Sequence, residues 1–409
     1  MKKKLVQIGA GMAGMRFLER LIEHADQHYT IEVFGKEPWG GYNRIMLSPV
    51  LAGEKQLPEI MTHPPAWFEQ HHIHFHPGIS IVAIDTERKV IRDAQGNETD
   101  YDILIIATGS DPFILPIPGH DLPGVVSFRD IRDVDLMIEA SGKHTRAAVI
   151  GGGLLGLEAA YGLIKRGMDV TVVHLVETLL ERQLDATAAE LLRQDLQAKG
   201  FKFAMPKQTA RILGDTRVEA IEFADGEQLE TDLVVMAVGI RPNTHLAQQA
   251  GLSVKRGIIV NDQMRTSDPS IYALGECVEF DGQTFGLVAP LYEQAEVLAR
   301  VLAGEDAHYT ISDTATMLKV TGINLFSAGD YLGEEEGAES IIWQDHAQRA
   351  YRKLVIRDNR ITGSVMYGDT YDSHAIFELL KSKRDISACR PNILLGQGYC
   401  KELNQTRGT

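Results

Sequence analysis

Cysteine is scarce: three in 409 residues, at Cys277, Cys389 and Cys400. None forms a CxxC or CxxxxC pair, so there is no obvious redox disulfide, and too few thiolates for an iron–sulfur cluster held by four cysteines. Any redox chemistry must then reside in a bound cofactor. Long apolar runs are also missing, and Met1-Lys2-Lys3-Lys4 leads straight into an apolar strand rather than a signal-peptide core. The expectation is a cytoplasmic protein with no membrane partner. Positive charge is in deficit: a net charge of −15 disfavours nucleic acid or an anionic membrane as the main partner, while leaving room for a local basic patch. Apolar content of 44% with 24% charged residues is ordinary for a globular chain, and the length calls for two or three domains rather than one core.

What the chain does have is glycine in two matching places. Leu5-Val6-Gln7-Ile8-Gly9-Ala10-Gly11-Met12-Ala13-Gly14 and Ala147-Ala148-Val149-Ile150-Gly151-Gly152-Gly153-Leu154-Leu155-Gly156 each read as a buried strand, a glycine turn and a helix start. Gly9 and Gly151 allow the tight turn. Gly11 and Gly153 let the backbone there, with that of Met12, Ala13, Leu154 and Leu155, approach a pyrophosphate, and Gly14 and Gly156 let helix and strand pack closely. The helix N-terminus then faces the anion. One copy is weak evidence, because glycines also follow strands in plain βα turns. Two copies, each followed by a second strand (30–34 and 169–174), point to two dinucleotide sites, one for a fixed flavin and one for a passing nicotinamide.

The first unit pairs a strand over 4–8 with a helix over 12–23. Glu37 lies near the distance of about 20 residues at which an acid takes a ribose hydroxyl, with a solvated loop acid as the alternative. His63, His71, His72, His74 and His76 invite a metal reading, but His72 and His74 share a strand face from which His71 points away, and no Cys or acid completes a set, so surface histidines are expected. Strands at 79–84 and 89–92 around the turn Ala94-Gln95-Gly96-Asn97 suggest a small antiparallel insertion, leading back to a buried strand over 101–107. In the second unit the helix after the strand end is expected to begin at Leu180-Glu181-Arg182-Gln183-Leu184-Asp185. Beyond Ala307 the pattern changes to strands over 317–320, 340–343, 351–356 and 361–367, then a helix over 373–383, a small α+β domain.

Trp39-Gly40-Gly41-Tyr42-Asn43-Arg44-Ile45-Met46-Leu47-Ser48, together with the two fingerprints, resembles the two-nucleotide flavoprotein reductases, and more closely the flavin half of the assimilatory NAD(P)H nitrite reductase large subunit. Over 1–395 the resemblance implies an α/β fold of two Rossmann-like domains, glutathione-reductase-like, plus the small C-terminal domain. The implied boundaries are 1–112 and 244–306 for FAD, 113–243 for NAD(P)H, 307–395 for a cap over the flavin and 396–409 for a tail. Where disulfide-using relatives carry a redox cysteine, this loop has Tyr42, Asn43 and Arg44, and Pro49 stands where rubredoxin and ferredoxin reductases usually place a lysine.

By the same resemblance, Arg44 is the cation near the flavin. Thr108-Gly109, in the strand-ending Ala107-Thr108-Gly109, passes close to it. Arg129 neutralises its phosphate, with a plain salt bridge as the alternative. Glu276 stands where relatives have an aspartate on a ribityl hydroxyl, Cys277 beside it is a small buried residue, Val288 offers backbone near the ring, and Lys319 reaches in from the cap. For the nicotinamide, Glu158 has an orienting role, Gly239 opens the Gly-Ile-Arg-Pro-Asn crossover, and His174 stands at the strand end where NADH-selective relatives have an acid. NADH and NADPH therefore both stay open as donors. The implied activity is hydride transfer from NAD(P)H to FAD and onward electron transfer to an iron–sulfur or haem-bearing reductase subunit, in nitrate or nitrite assimilation. The family's cysteine-rich and sirohaem regions are not in these residues. The alternatives are a rubredoxin- or ferredoxin-type reductase and a flavin-binding redox sensor.

Overall fold

The computed structural model of the protein describes residues 2–25, 28–312, 315–320 and 322–395, without side chains at 318–320 and 395. It divides into two compact units, Met1–Phe113 with Arg129–Val134 and Gly239–Ser312, and Ile114–Phe128 with Asp135–Val238 and Asp313–Thr409.

The first unit is built on a parallel sheet ordered Ile271–Ala273, Ile103–Ile106, Lys3–Ile8, Tyr29–Gly35, Ile73–Pro77. Its central strand is covered on both faces, which is why Leu5, Val6 and Ile8 form an apolar run rather than an alternating one. The helix Met12–Ala25 buries Met15, Phe17, Leu18 and Leu21. Helix Val288–Leu302 buries Leu291, Ala295, Leu298, Ala299 and Leu302, the stripe expected of a helix with one face on a core. Val288 is its first residue. The insertion is an antiparallel sheet of Ile81–Asp85, Val90–Asp93 and Glu98–Asp100. Asp93 closes its turn by accepting the Gln95 and Asn97 N–H groups, each at 2.9 Å.

His72 and His74 are exposed, as expected of surface histidines, while two details differ. His72 precedes the strand Ile73–Pro77 at φ +53°, so it does not share a face with His74. His63 is buried: Nε2 is 3.0 Å from Glu19, Nδ1 is 2.9 Å from the Thr62 hydroxyl, and burial pushes its pKa down. Among the described residues no group of His, Cys, Asp or Glu has metal-holding geometry, and no helix is long and apolar enough to cross a membrane.

The second unit repeats the plan. Its parallel sheet runs Val125–Ser127, Leu233–Met236, Arg146–Ile150, Asp169–Val173, Lys202–Ala204, with helices Leu154–Lys165 and Ala186–Ala198. The latter begins later than expected. Residues 180–185 form a turn with Leu180 at φ +51°, and Asp185 caps the helix by accepting the Ala188 N–H at 3.0 Å.

The C-terminal sheet of the same unit is antiparallel, ordered Ala315–Val320, Ile323–Gly329, Arg360–Tyr367, Ala350–Arg357, Glu339–Asp345. Strand Ile323–Gly329 was not anticipated, since Asn324 and Ser327 interrupt its apolar pattern. Helix Ser373–Ser382 packs Ile376, Leu379 and Leu380 against Phe326, Leu354 and Met366. Asp185 joins this sheet to the nucleotide-domain helix: it accepts the Tyr351 hydroxyl at 2.7 Å and has Lys353 Nζ at 3.5 Å. All three are buried, so the cap carboxylate is also a fixed joint. The expected tail and Cys400 lie outside the described residues.

Candidate dinucleotide sites

The two glycine turns are near copies. Gly9 donates its N–H to Phe34 O at 2.8 Å and Gly151 to Val173 O at 2.9 Å, each tying the turn to the second strand of its own sheet. Gly9 sits at φ +108° and Gly151 at φ +125°. A Cβ would come within 2.1 Å of Ala107 O at Gly9 and within 2.3 Å of Ala237 O at Gly151. Gly14 and Gly156 are closed in similarly, 2.8 Å from Gly9 O and 2.0 Å from Gly151 O, because each helix crosses directly over its turn. The middle glycines differ. A Cβ at Gly11 or Gly153 would meet nothing within 4 Å. First and third glycines are thus required by the fold, whereas the second borders open space at a helix N-terminus, where a diphosphate fits.

Around the first turn, Gln7 is fully buried within an apolar strand and donates Nε2–H to Gly9 O at 2.8 Å. Buried Gln294, from helix Val288–Leu302, accepts the Gly275 N–H at 2.9 Å. No motif points to either; a lone amide in a buried stretch is the signal that could have found them.

The two crossover segments meet in the first unit. Ser110–Pro112 pairs antiparallel with Ile240–Pro242, Thr108 Oγ1 donates to Asn243 O at 2.8 Å, and the Asn243 N–H donates to Gly109 O at 2.9 Å. Gly109 and Gly239 supply positive φ at either end of the ribbon. Beside it, Glu276 Oε2 accepts from Ser110 Oγ at 2.7 Å and from the Arg129 guanidinium at 2.5 Å.

Glu37 is engaged on both oxygens, by the Tyr42 hydroxyl and by Arg44 NH2, each at 2.7 Å. A carboxylate has about four lone-pair sites, so capacity for a further hydroxyl remains. Arg44 also donates to Arg129 O at 2.6 Å. Burial pushes the Tyr42 phenol up, which keeps it a donor. The structure therefore gathers Thr108, Gly109, Arg129 and Glu276 into one cluster and Glu37 with Arg44 into an adjoining one. Val288, half-buried, is the first residue of helix Val288–Leu302. The side chain of Lys319 lies outside the described residues.

Cys277 is fully buried, its thiol donating to Leu274 O at 3.2 Å, and burial pushes its pKa up. That is the environment of an inert thiol.

In the second unit Glu158 is half-buried in the second turn of helix Leu154–Lys165. His174 directly follows strand Asp169–Val173, at the strand end where the sequence places it. Only 8% exposed, its imidazole turns in under the glycine turn. Nδ1 accepts the Gly152 N–H at 3.1 Å and Nε2 lies 3.1 Å from Thr178 O. Both ring nitrogens are thus within hydrogen-bonding distance of backbone groups.

Two Rossmann-like domains, each with its glycine turn, define the class: a flavoprotein oxidoreductase dependent on NAD(P)H. The chain belongs to the pyridine nucleotide-disulphide oxidoreductase family, whose profile matches residues 3–298; residues 315–384 match the rubredoxin NAD+ reductase C-terminal domain. It is 49% identical to a nitrite reductase [NAD(P)H] of Bacillus subtilis over 100% of this chain and 50% of that protein. To the assimilatory nitrate reductase electron transfer subunit of the same organism it is 43% identical, over 96% of this chain and 51% of that one. The chain thus spans about half the length of these relatives. The fold matches putidaredoxin reductase in its covalent complex with putidaredoxin (TM-score 0.86, 25% identity, 98% of each chain). It also matches NADH:rubredoxin oxidoreductase of Clostridium acetobutylicum (TM-score 0.81, 26% identity, 98% of this chain and 100% of that one).

Proposed function

We propose that the first glycine turn holds FAD, that the second binds NAD(P)H, and that the protein passes electrons to an iron–sulfur or haem-bearing reductase subunit in nitrate or nitrite assimilation. The observation that carries the reading is the pair of open middle glycines, Gly11 and Gly153, each on a turn whose other glycines are closed in by backbone. FAD, when bound, supplies the chemistry by taking a hydride and handing on electrons one at a time.

The residues have separable duties in this reading. The backbone at Gly11, Met12, Ala13 and Gly14 cradles the flavin diphosphate, with Arg129 available to its charge. Glu37 takes a ribose hydroxyl and is held by Arg44 and Tyr42; Glu276, fixed by Ser110, takes a ribityl hydroxyl. Thr108, Gly109 and Val288 line the flavin with backbone. Gly151, Gly153, Leu154, Leu155 and Gly156 cradle the nicotinamide dinucleotide, Glu158 orients it, and Gly239 lets the chain cross back.

The nitrate or nitrite destination is supported by the names of the two Bacillus relatives. A rubredoxin-type reductase is the second reading, favoured by the C-terminal domain match over residues 315–384. The experiment is anaerobic stopped-flow: NADH should bleach the flavin absorbance of the purified protein, and Cys277→Ser should bleach equally. A variant that keeps FAD but loses bleaching would place the redox centre at the thiol, and a protein that never bleaches would be a sensor rather than an enzyme.

A further inference from the structure

We propose that Glu181, positioned by His174, is the residue that discriminates against a 2′-phosphate, so that this chain selects NADH over NADPH. The inference rests on reading the second glycine turn as the nicotinamide dinucleotide site.

In a βαβ dinucleotide unit the adenosine ribose lies beside the glycine turn and the end of the second strand, and a carboxylate there accepts its hydroxyls. Here that strand ends at Val173. The next residue, His174, is used internally. A ring whose Nδ1 accepts the Gly152 N–H carries its proton on Nε2, and that N–H points at Thr178 O, 3.1 Å away, and at Glu181 Oε2, 3.3 Å away. Leu175 and Val176 follow, 63% and 40% exposed, with no polar group to offer.

The carboxylate that does reach this place comes from seven positions further on. The loop after the strand folds back so that the Leu180 N–H donates to Gly152 O at 3.1 Å, on the glycine turn itself. That contact and the positive φ of Leu180 deliver the next residue, Glu181, to the strand end. Its carbonyl is held from the other side by the Tyr331 hydroxyl at 2.9 Å. The backbone of Glu181 is thus fixed on two sides. Its side chain remains 44% exposed, with one carboxylate oxygen beside His174 and acceptor capacity to spare. His174 and Glu181 together reconstruct the acid that the strand end lacks: the imidazole pins the turn and the carboxylate faces outward. A carboxylate fixed there accepts ribose hydroxyls and repels a phosphate dianion. Glu177, also exposed, adds to the repulsion, and Arg182 is the one permanent cation between residues 174 and 184.

The test uses adenosine ligands, so that it does not depend on flavin turnover. Calorimetric titration of the flavin-loaded protein with ADP-ribose and with 2′-phospho-ADP-ribose should show at least roughly tenfold tighter binding of the former, the scale of about 1.4 kcal/mol. Glu181→Gln should shrink the ratio to about two- to threefold and Glu181→Arg should invert it, on the scale of one charged contact. His174→Asn, which loses the fixed carboxylate but keeps its charge, should lower the ratio by less than Glu181→Gln does, which a purely structural role would not do selectively. Circular dichroism and melting temperature confirm the fold of each variant. A ratio in Glu181→Arg within twofold of the parent overturns the inference alone. So does a parent preference for the 2′-phosphate that Arg182→Ala removes. Binding of neither ligand to the parent overturns the site reading together with the inference.

Discussion

Arg129 and Glu276, 147 positions apart in sequence, meet at 2.5 Å with side chains only 17% and 15% exposed. The pair joins the segment Arg129–Val134, the part of the first unit that lies between stretches of the second, to the chain just after strand Ile271–Ala273. Removing one member leaves the other charge poorly solvated and its partner groups adrift. If this cluster lies at the flavin, Glu276→Gln should loosen FAD by about tenfold and Arg129→Met by ten- to a hundredfold, the range of one to two charge-assisted hydrogen bonds. Flavin-to-protein absorbance after gel filtration and titration with free FAD measure this. Retention equal to the parent in both variants would leave the pair as a structural tie.

The glycine turns give a sharper comparison, because geometry separates what the fold needs from what the ligand needs. Gly156→Ala would put a methyl 2.0 Å from Gly151 O, so the helix must shift, and a loss of about 2–4 kcal/mol in stability is expected. Gly153→Ala meets nothing within 4 Å and should leave the urea midpoint unchanged while weakening nicotinamide dinucleotide binding at least roughly tenfold. A Gly153→Ala protein that binds as tightly as the parent would remove the second turn from the coenzyme site.

How far these features are legible in the sequence follows from how local their causes are. Gly9, Gly14, Gly151 and Gly156 are readable because the contacts that exclude a side chain lie within the βα turn or on the neighbouring strand. Helix Met12–Ala25 is readable from its apolar spacing. The meeting of Arg129 with Glu276 is not, since nothing in either neighbourhood encodes the other; resemblance assigned each a flavin role without pairing them. The surroundings of His174 are hidden for a related reason. A strand-end side chain is read as facing the ligand, and only the fold-back that ties Leu180 to Gly152 reveals that the imidazole is enclosed and that Glu181 has come round beside it. Asp185 shows the same limit: read as part of a helix, it is the cap before it, fixed by Tyr351 and Lys353 from a sheet that follows much later in the chain.

A pH dependence follows from Asp232. The Arg146 side chain bonds it at 3.0 Å and the Arg146 N–H at 3.0 Å, and these hold its carboxyl down at about 2. Its pKa is lower folded than unfolded, so its contribution is present above the unfolded value of about 4 and is lost as pH falls towards 2. Arg146 is 41% exposed, so solvent screening reduces the contribution to about 1 kcal/mol or less. Urea unfolding of Asp232→Asn and parent should differ by that amount at pH 7 and converge below pH 4. A gap that stays constant down to pH 3 would assign the effect to the hydrogen bonds alone.

The last prediction concerns where the electrons go. The proposed entry for them needs only the two dinucleotide sites, whereas the three scattered cysteines of these 409 residues cannot supply the four thiolates of an iron–sulfur cluster. Cys277, moreover, is enclosed with its thiol bonded to Leu274 O. With NADH as donor, this chain should therefore reduce a small one-electron acceptor such as ferricyanide readily and reduce nitrate or nitrite negligibly. Adding a cluster-bearing nitrate or nitrite reductase subunit should restore turnover. If docking is electrostatically steered, the restored rate should fall as ionic strength rises through the range where the Debye length shrinks from about 10 to about 3 Å. The assay mixes chain, NADH and nitrite or nitrate, with and without the partner, and follows NADH absorbance. Rapid nitrite reduction by the chain alone would end the electron-transfer reading. Restoration by rubredoxin, and by no nitrogen-reducing partner, would move the assignment to the rubredoxin-type reductase that the match over residues 315–384 also supports.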